Sequence, residues 1–305
     1  MPSPVGEVHE YACAAAIDRI GAGIMDFTGC DGTDPWRYEG RRVAVTGCAS
    51  GIGARVAQQL HERGAQVIGL DRRPPLTSSI EFYGVDLADP ASIDDAVAAI
   101  GAGVDSLFNV AGVSRAVADP LTVMRINFLG LRHLTEAMIP AMTAGSSILN
   151  VASLVATSYW DNRHHTATLL ATQTFDAGVQ WCTGHGELLQ DGGYRLAKEA
   201  VILYTLLRAE ALGRNGIRIN CTAPGVTRTP ILDELRAAYG PTYLDDVPTA
   251  MGRASDPLEQ TAPMVFLNSA AASFITGQVL WVDGGHTAIR AADDIPVTER
   301  RTGKD

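Results

Sequence analysis

The segment from Arg41 to Gly53 most constrains the fold of this chain, because a short apolar strand leads directly into a glycine-rich turn. The turn has the sequence Thr46-Gly47-Cys48-Ala49-Ser50-Gly51-Ile52-Gly53, and apolar residues at helical spacing follow it. Glycines let a backbone turn tightly and approach a ligand, and the start of a new helix favours a pyrophosphate. The next apolar strand ends at Asp71. This order of strand, glycine turn, helix and acid-ending strand is typical of a dinucleotide-binding unit.

A second pattern, Tyr194-Arg195-Leu196-Ala197-Lys198, begins a segment whose apolar residues recur at helical spacing. Residues four apart share one helix face, so Tyr194 and Lys198 are predicted to point the same way. An ammonium beside a phenol favours the phenolate, which predicts a Tyr194 pKa lowered towards working pH, as a general acid/base requires. Taken alone, the same residues also fit an amphipathic helix that happens to carry a tyrosine and a lysine.

These two segments, with others in the same order, resemble the short-chain dehydrogenase/reductase family from about Arg41 to about Thr287. The resemblance implies a catalytic tetrad of Asn127, Ser153, Tyr194 and Lys198. In it, Tyr194 takes the proton of a substrate hydroxyl while hydride passes to the nicotinamide. Lys198 lowers the Tyr194 pKa and holds the nicotinamide ribose. Ser153 donates a hydrogen bond to the reacting oxygen, and Asn127 positions a water that links Lys198 to solvent.

The same resemblance implies which residues hold the cofactor. Asn109-Val110-Ala111-Gly112 is similar to the motif of the fourth strand, with Val110 where many relatives carry a second asparagine. Asp86 resembles the adenine-side acid, and Val282-Asp283-Gly284-Gly285 the closing strand. The implied cofactor-binding residues, besides Tyr194 and Lys198, are Gly47, Ser50, Gly51, Ile52, Gly53, Asp71, Asp86, Leu87, Asn109, Ala111, Gly112, Pro224, Gly225, Val226, Thr227 and Thr229.

Asp71 predicts NAD rather than NADP as the cofactor. A carboxylate at this position accepts hydrogen bonds from the adenosine ribose hydroxyls and repels the extra phosphate of NADP. Ser50 stands where NADP-dependent relatives often place a basic residue. Arg72 and Arg73 keep NADP open as the alternative, because an arginine after the acid can accommodate that phosphate.

Strand and helix patterns alternate from Arg41 onward, which predicts an α/β fold with a doubly wound, Rossmann-type parallel sheet flanked by helices. We expect an N-terminal extension (1–40), one domain (41–290) and a C-terminal tail (291–305). The extension is predicted to form a helix over Glu7–Met25. Three arrangements are open for it: packing on a neighbouring subunit, covering the active site, or partial disorder. Phe27, Trp36 and Tyr38 favour packing. Strands are predicted at 42–46, 66–70, 80–83, 104–109, 146–151, 216–221 and 278–281, and helices at 51–63, 90–99, 120–143, 193–213, 230–238 and 257–268.

An insertion at about 155–192 separates Ser153 from Tyr194 more widely than in most relatives. It is similar to insertions in two bacterial subgroups, the hydroxysteroid dehydrogenase/carbonyl reductases and the coniferyl-alcohol dehydrogenases. We expect a helix over Thr166–Phe175, coverage of part of the helix-pair interface through which ordinary family members form tetramers, and Trp160 or Trp181 facing substrate. The predicted assembly is therefore a homodimer, or a homotetramer built by another contact.

Composition excludes several other classes of function. The formal charge of −10 disfavours a nucleic-acid partner held through phosphates. No apolar stretch approaches the roughly 20 residues of a membrane span. Five cysteines without a C-x-x-C pair indicate free thiols in a reducing, cytoplasmic setting. His164, His165 and His185 have no accompanying carboxylate or cysteine cluster, so no metal site is predicted.

The predicted function is oxidoreduction of a small molecule: the interconversion of a secondary, aryl or allylic alcohol and its carbonyl compound with NAD(H). Apolar and aromatic residues near the insertion indicate a hydrophobic cyclic, steroid-like or aromatic substrate. The alternatives are an NADP-dependent ketoreductase of a biosynthetic pathway, a non-redox lyase or epimerase, and a dinucleotide-sensing protein. The fold alone does not decide among them.

Overall fold

A computed structural model describes residues 34–75, 77 and 79–296 of the chain. These residues form one sheet of seven parallel strands in the order β3-β2-β1-β4-β5-β6-β7, so the predicted fold class is confirmed. A parallel sheet is covered on both faces, and accordingly all five residues of β5 are buried. The strands are β1 (Arg42–Thr46), β2 (Gln66–Asp71), β3 (Glu81–Gly84), β4 (Ser106–Asn109), β5 (Ser147–Val151), β6 (Arg218–Pro224) and β7 (Val279–Val282).

Helices cover both faces of this sheet, and successive strand residues therefore enter different cores. In β4, Leu107 belongs to one apolar cluster and Phe108 to the cluster on the other face. The helices are α1 (Gly51–Glu62), α2 (Pro90–Ile100), α3 (Pro120–Met124), α4 (Leu131–Met138), α5 (Arg163–Leu170), α6 (Phe175–Gly184), α7 (Tyr194–Gly213), α8 (Pro230–Tyr239), α9 (Pro257–Asn268) and α10 (His286–Asp293). Short 3₁₀ turns occupy Ile139–Ala141, Leu154–Ser158, Gly186–Leu189 and Ala270–Ala272.

The predicted helix over 120–143 is wrong in two respects. A π-helical segment, Arg125–Gly130, separates α3 from α4, and it contains Asn127. Helical structure then ends in the 3₁₀ turn Ile139–Ala141, because Pro140 lacks the N–H that would continue an α-helix. Since π-helical turns occur mostly as single bulges at functional sites, the position of this segment points to Asn127 as a functional residue.

The predicted helix over Thr166–Phe175 is also wrong, because the insertion contains two helices with a break between them. α5 ends at Leu170, and the Thr174 hydroxyl caps α6 by accepting a hydrogen bond from the Ala177 N–H at 3.1 Å. The Arg132 guanidinium, buried beneath the break, donates to the carbonyl oxygens of Thr172 (2.7 Å) and Thr174 (3.1 Å). These carbonyls are thus satisfied by a side chain instead of by a continuing helix.

The start of the described chain packs on α9. Trp36 stacks on Phe266 with ring centroids 5.1 Å apart, and the buried Tyr38 donates its hydroxyl to the Val265 carbonyl at 2.7 Å. The helix predicted over Glu7–Met25 and the packing of Phe27 lie outside the described residues. Within the described residues, we find no helix both long enough and apolar enough to cross a membrane.

Candidate active site

The larger of two joined cavities, of about 720 Å³, lies at the carboxyl ends of β1, β2 and β4. In doubly wound sheets this edge is where ligands bind. The glycine turn, the end of β2 and the loop after β4 all contribute to its lining. The predicted residues found there are Gly47, Ser50, Gly51, Ile52, Gly53, Asp71, Asp86, Leu87, Ala111, Gly112 and Thr229.

Glycine is required at two places in the turn by close backbone packing. A Cβ added at Gly53 would lie 2.2 Å from the Gly47 carbonyl oxygen. Gly47 itself has φ +75°, and an added Cβ would lie 2.9 Å from the Ala111 Cα. By contrast, a Cβ at Gly51 would meet no other atom closer than 3.8 Å, so the N-terminus of α1 opens into the cavity. Such a helix end, with its unpaired N–H groups, fits the pyrophosphate of a dinucleotide.

Asp71 is held at the far end of the cavity by two backbone N–H groups. One carboxylate oxygen accepts from Ala49 at 3.1 Å and the other from Arg73 at 3.1 Å. Each carboxylate oxygen can accept a further bond, which leaves capacity for ribose hydroxyls. Arg72 and Arg73 also line the cavity, and both of these side chains are exposed.

Asn109, a predicted cofactor-binding residue, does not line the cavity. Its side chain is buried behind the cavity and donates to the Thr135 hydroxyl at 2.8 Å and to the Asn150 amide oxygen at 2.9 Å. The neighbouring residues Ala111 and Gly112 line the cavity instead. Asn109 therefore fixes β4 to β5 and α4, and acts on the site only by holding this loop in place.

The second cavity, of about 340 Å³, contains the proposed reacting groups. Ser153 and Tyr194 line it, and Ile52, Val110, Thr229 and Ile231 line both cavities, so the two spaces are continuous. The predicted cofactor-binding residues Pro224, Gly225, Val226 and Thr227 form one wall. β6 reaches Pro224 rather than the predicted 221, because its register with β7 continues to the pair Pro224–Val282.

Three members of the predicted tetrad converge beside this cavity. Tyr194 is the first residue of α7, and the Ser153 hydroxyl hydrogen-bonds to it. The buried Lys198 lies one turn further, with its Nζ 5.7 Å from the centre of the Tyr194 ring. The Lys198 ammonium donates to the Val151 carbonyl at 2.8 Å, which fixes it at the end of β5.

Asn127, the fourth member, is fully buried, and the oxygen and nitrogen of its side-chain amide both hydrogen-bond to the backbone of Val113. Its amide oxygen accepts from the Val113 N–H at 2.8 Å, and its amide nitrogen donates to the Val113 carbonyl at 2.9 Å. A Cβ added at Gly112 would lie 3.2 Å from the Asn127 Oδ1 and 3.6 Å from the Lys198 Nζ. Asn127 and Lys198 therefore approach the same point of the loop after β4.

Burial has the largest effect on the pKa values of Tyr194 and Lys198. It raises the pKa of Tyr194, and the hydrogen bond from Ser153 acts in the opposite direction. Burial also lowers the pKa of Lys198 to about 8, while Cys221 acts in the opposite direction. The prediction of a lowered Tyr194 pKa is therefore wrong: desolvation outweighs the lowering contribution of the Ser153 hydrogen bond.

Neither Trp160 nor Trp181 lines the cleft, contrary to the prediction that one of them faces the substrate. Only Val155 and Asp191, at the two ends of the insertion, line the smaller cavity. Trp160 is 58% exposed outside it, and Trp181 stacks on His185 with ring centroids 4.2 Å apart. The opposite wall comes from α8 and the loop after it, which the sequence patterns did not single out: Ile231, Leu232, Leu235, Tyr243 and Leu244.

Instead, the insertion packs on the central helices. α5 lies against α7, and α6 lies against α3 and the π-helical segment. A Cβ added at Gly178 would lie 2.4 Å from a methyl group of Leu129, which shows how closely α6 approaches the π-helical segment. Within the described chain, no three histidine, cysteine or acidic side chains gather to hold a metal ion.

Comparison with known proteins links this geometry to a family. Residues 41–168 match the family model described as short chain dehydrogenase, and residues 182–287 match the one described as Enoyl-(Acyl carrier protein) reductase. The chain is 34% identical to a coniferyl-alcohol dehydrogenase from Pseudomonas sp. strain HR199, over 80% of this chain and 96% of that protein. It is 30% identical to a 3-alpha-hydroxysteroid dehydrogenase/carbonyl reductase from Comamonas testosteroni, over 81% and 96%. A solved 3-alpha-hydroxysteroid dehydrogenase from Pseudomonas sp. B-0831, complexed with NADH, is similar with a TM-score of 0.71 and 29% identity, covering 83% of this chain and all of that one.

Proposed function

Because this chain belongs to the short-chain dehydrogenase/reductase family, we propose that it interconverts a secondary, aryl or allylic alcohol and its carbonyl compound with NAD(H). Family membership makes it an oxidoreductase that uses a nicotinamide cofactor. The observation that carries the proposal is the position of Tyr194 and Ser153 in an apolar cleft that opens into the cavity of the glycine turn. A bound nicotinamide supplies the hydride acceptor or donor, and the protein supplies placement and proton transfer.

Each side chain of the tetrad has a role that its contacts support. Tyr194 takes the proton from the substrate hydroxyl in oxidation and returns it in reduction. Ser153, which already hydrogen-bonds to Tyr194, donates to the same substrate oxygen and stabilises charge that develops there. Lys198, fixed on the Val151 carbonyl, holds the ribose, and Asn127 fixes the loop that carries Gly112.

The retained residues favour a redox function over a sensing protein, and only activity separates it from a lyase or epimerase. A lyase or epimerase on this fold needs the serine and tyrosine but no net hydride transfer, and a sensing protein needs neither tyrosine nor lysine. This chain keeps Ser153, Tyr194, Lys198 and the close glycine packing at Gly53. Activity with alcohols and NAD, followed by NADH absorbance, tests the proposal; no turnover across alcohols and ketones with either cofactor contradicts it.

We expect a hydrophobic cyclic or aromatic substrate. Apolar side chains from three segments, among them Val155, Val226 and Leu235, line the smaller cavity. Two relatives named above act, by their names, on coniferyl alcohol and on hydroxysteroids. A cleft of about 340 Å³ is within the range of ligand pockets and suits a substrate of this kind.

The expected cofactor is NAD, and Asp71→Ala tests this preference. Removing the carboxylate deletes the acceptor for the ribose hydroxyls and the repulsion of a 2′-phosphate. We expect kcat/KM with NAD to fall about 10- to 100-fold, as for loss of a charged hydrogen bond, and the ratio of NADP to NAD activity to rise. Arg73→Gln is the matched comparison. If the wild-type enzyme prefers NADP and Arg73→Gln loses that preference, the role given to Asp71 is contradicted.

We propose that the protein assembles as a dimer, or as a tetramer through a contact other than the usual helix pair. α5 and α6 lie against α7 and α3, the central helices through which we expect ordinary relatives to pair. Light scattering should therefore give the mass of an oligomer, and Leu207→Cys, on the exposed end of α7, should not cross-link two copies efficiently. Phe274→Cys, at a fully exposed position, measures non-specific cross-linking. Rapid cross-linking at Leu207 alone would show that the helix pair persists.

A further inference from the structure

Arg115 lies at the mouth of the substrate cleft, in the loop after β4. Its Nη1 donates to the Asp191 carbonyl at 3.1 Å, and its Nη2 donates to the Tyr243 hydroxyl at 2.8 Å. The guanidinium carbon is 5.2 Å from the centre of the Tyr239 ring. These contacts join the end of the insertion to α8 and its following loop. They also hold an arginine on the lining of the cavity that contains Tyr194.

The other charges at this cavity are already paired. The Asp191 carboxylate forms an ion pair with the Arg195 Nε at 2.9 Å, and Arg195 also lies 3.5 Å from the buried Glu199. Among residues 34–75, 77 and 79–296, no carboxylate lies within ion-pair distance of Arg115. Its partners are a carbonyl and a phenol, both uncharged. The cleft therefore presents one cation whose charge is not balanced by a neighbour.

The guanidinium retains donors for a ligand. Arginine has five N–H groups, and the two bonds above use one on each terminal nitrogen. The remaining donors lie in the plane that suits a carboxylate, for which arginine provides a two-point contact. The contacts to Asp191, Tyr243 and Tyr239 restrict the side chain before any ligand arrives, so less conformational entropy is lost on binding.

We propose that Arg115 binds a carboxylate on the substrate. The substrates are then alcohols with an apolar or aryl body, the reacting hydroxyl at Tyr194 and an acidic group at the cleft mouth. This inference rests on the proposed dehydrogenase function and names its substrate class. A purely structural Arg115, which only ties Asp191 to Tyr243, would affect charged and uncharged substrates equally.

The test compares two probes that differ in the charge of one group and in one methyl group, 4-(1-hydroxyethyl)benzoate and its methyl ester. With wild-type enzyme and NAD, we expect a higher kcat/KM for the carboxylate. Arg115→Gln should lower kcat/KM for the carboxylate about 10- to 100-fold, mainly through KM, and change that for the ester less than about threefold. Arg115→Lys should keep part of the preference because the charge remains. Arg214→Gln, at an exposed position paired with Glu210, controls for net charge and should keep all of it.

A binding measurement separates this inference from the proposed reaction. The ketones 4-acetylbenzoate and methyl 4-acetylbenzoate are titrated calorimetrically into the enzyme saturated with NAD, where no hydride transfer is possible. Tighter binding of the carboxylate by wild type, lost in Arg115→Gln, supports the role of Arg115. This holds even if neither alcohol is oxidised, because the lack of oxidation would contradict only the proposed function. Equal wild-type affinities, no binding of 4-acetylbenzoate, or equal losses for both ketones in Arg115→Gln overturn the inference.

Discussion

Replacing Tyr194 by phenylalanine is expected to lower kcat by about 10²- to 10⁴-fold, the usual contribution of a general acid/base. The hydroxyl is the only group removed, and Tyr194 lines the cleft together with Ser153. The ring remains, and Lys198 stays fixed on the Val151 carbonyl. Cofactor affinity, measured by quenching of protein fluorescence with NADH, should therefore change little.

Tyr204→Phe is the matched control, because it removes a phenol from the same helix at a distance from the cleft. Tyr204 is buried and donates to the Glu136 carboxylate at 2.7 Å. This variant should lose stability, by about 1–3 kcal/mol for a hydrogen bond to a charged group, and retain kcat. Turnover in Tyr194→Phe within threefold of wild type would remove Tyr194 from the proton transfer.

The second large effect is expected for Lys198→Met, which replaces a buried ammonium by an uncharged chain of similar length. Loss of a fixed charge beside the reacting oxygen should lower kcat by about 10²-fold or more. KM for the cofactor should rise as well, since we assign the ribose contact to this ammonium. Steady-state kinetics over a range of NAD concentrations separates the two effects, and unchanged kcat would exclude Lys198 from the mechanism.

The same variant tests the pKa of Lys198 without any measurement of activity. Burial lowers that pKa from 10.5 to about 8, so between these values the unfolded chain binds a proton that the folded chain does not. The folded state is then favoured as pH rises through this window, and the full cost of burying the charge is present below pH 8. Between pH 7.5 and pH 10, wild type should gain on the order of 2 to 3 kcal/mol relative to Lys198→Met.

Urea unfolding of both proteins at the two pH values measures this gain, because the titration of other groups cancels in the difference. A stability difference that does not change with pH would mean that Lys198 keeps its ordinary pKa in the folded protein.

The parts of the site that the sequence predicted are local in the chain. Gly47 and Gly53 meet each other within one turn, and Tyr194 and Lys198 share one helix face. The parallel sheet and the cavity at its carboxyl ends follow from the alternation of strands and helices. For these features, a few neighbouring residues contain most of the physical cause.

The features that were missed depend on residues far apart in sequence. The position of Arg115 at the cleft depends on Asp191 and Tyr243, which only the fold brings next to it. The helix break in the insertion depends on Arg132, 40 residues before Thr172. The raised pKa of Tyr194 results from burial, which a helical spacing does not report. Asn109 fits the family motif, yet Thr135 and Asn150 determine where its side chain lies.

The contact between the insertion and α7 affects how such a segment could be transplanted in protein engineering. The Asn162 amide donates to the Glu199 carboxylate at 2.8 Å, and Glu199 is buried next to Lys198 in sequence. A recipient enzyme given the inserted loop alone would lack Arg132 under its helix break, and a native Glu199 left without the loop would lose its neutral donor. The insertion and the helices that contact it would therefore have to be transferred together.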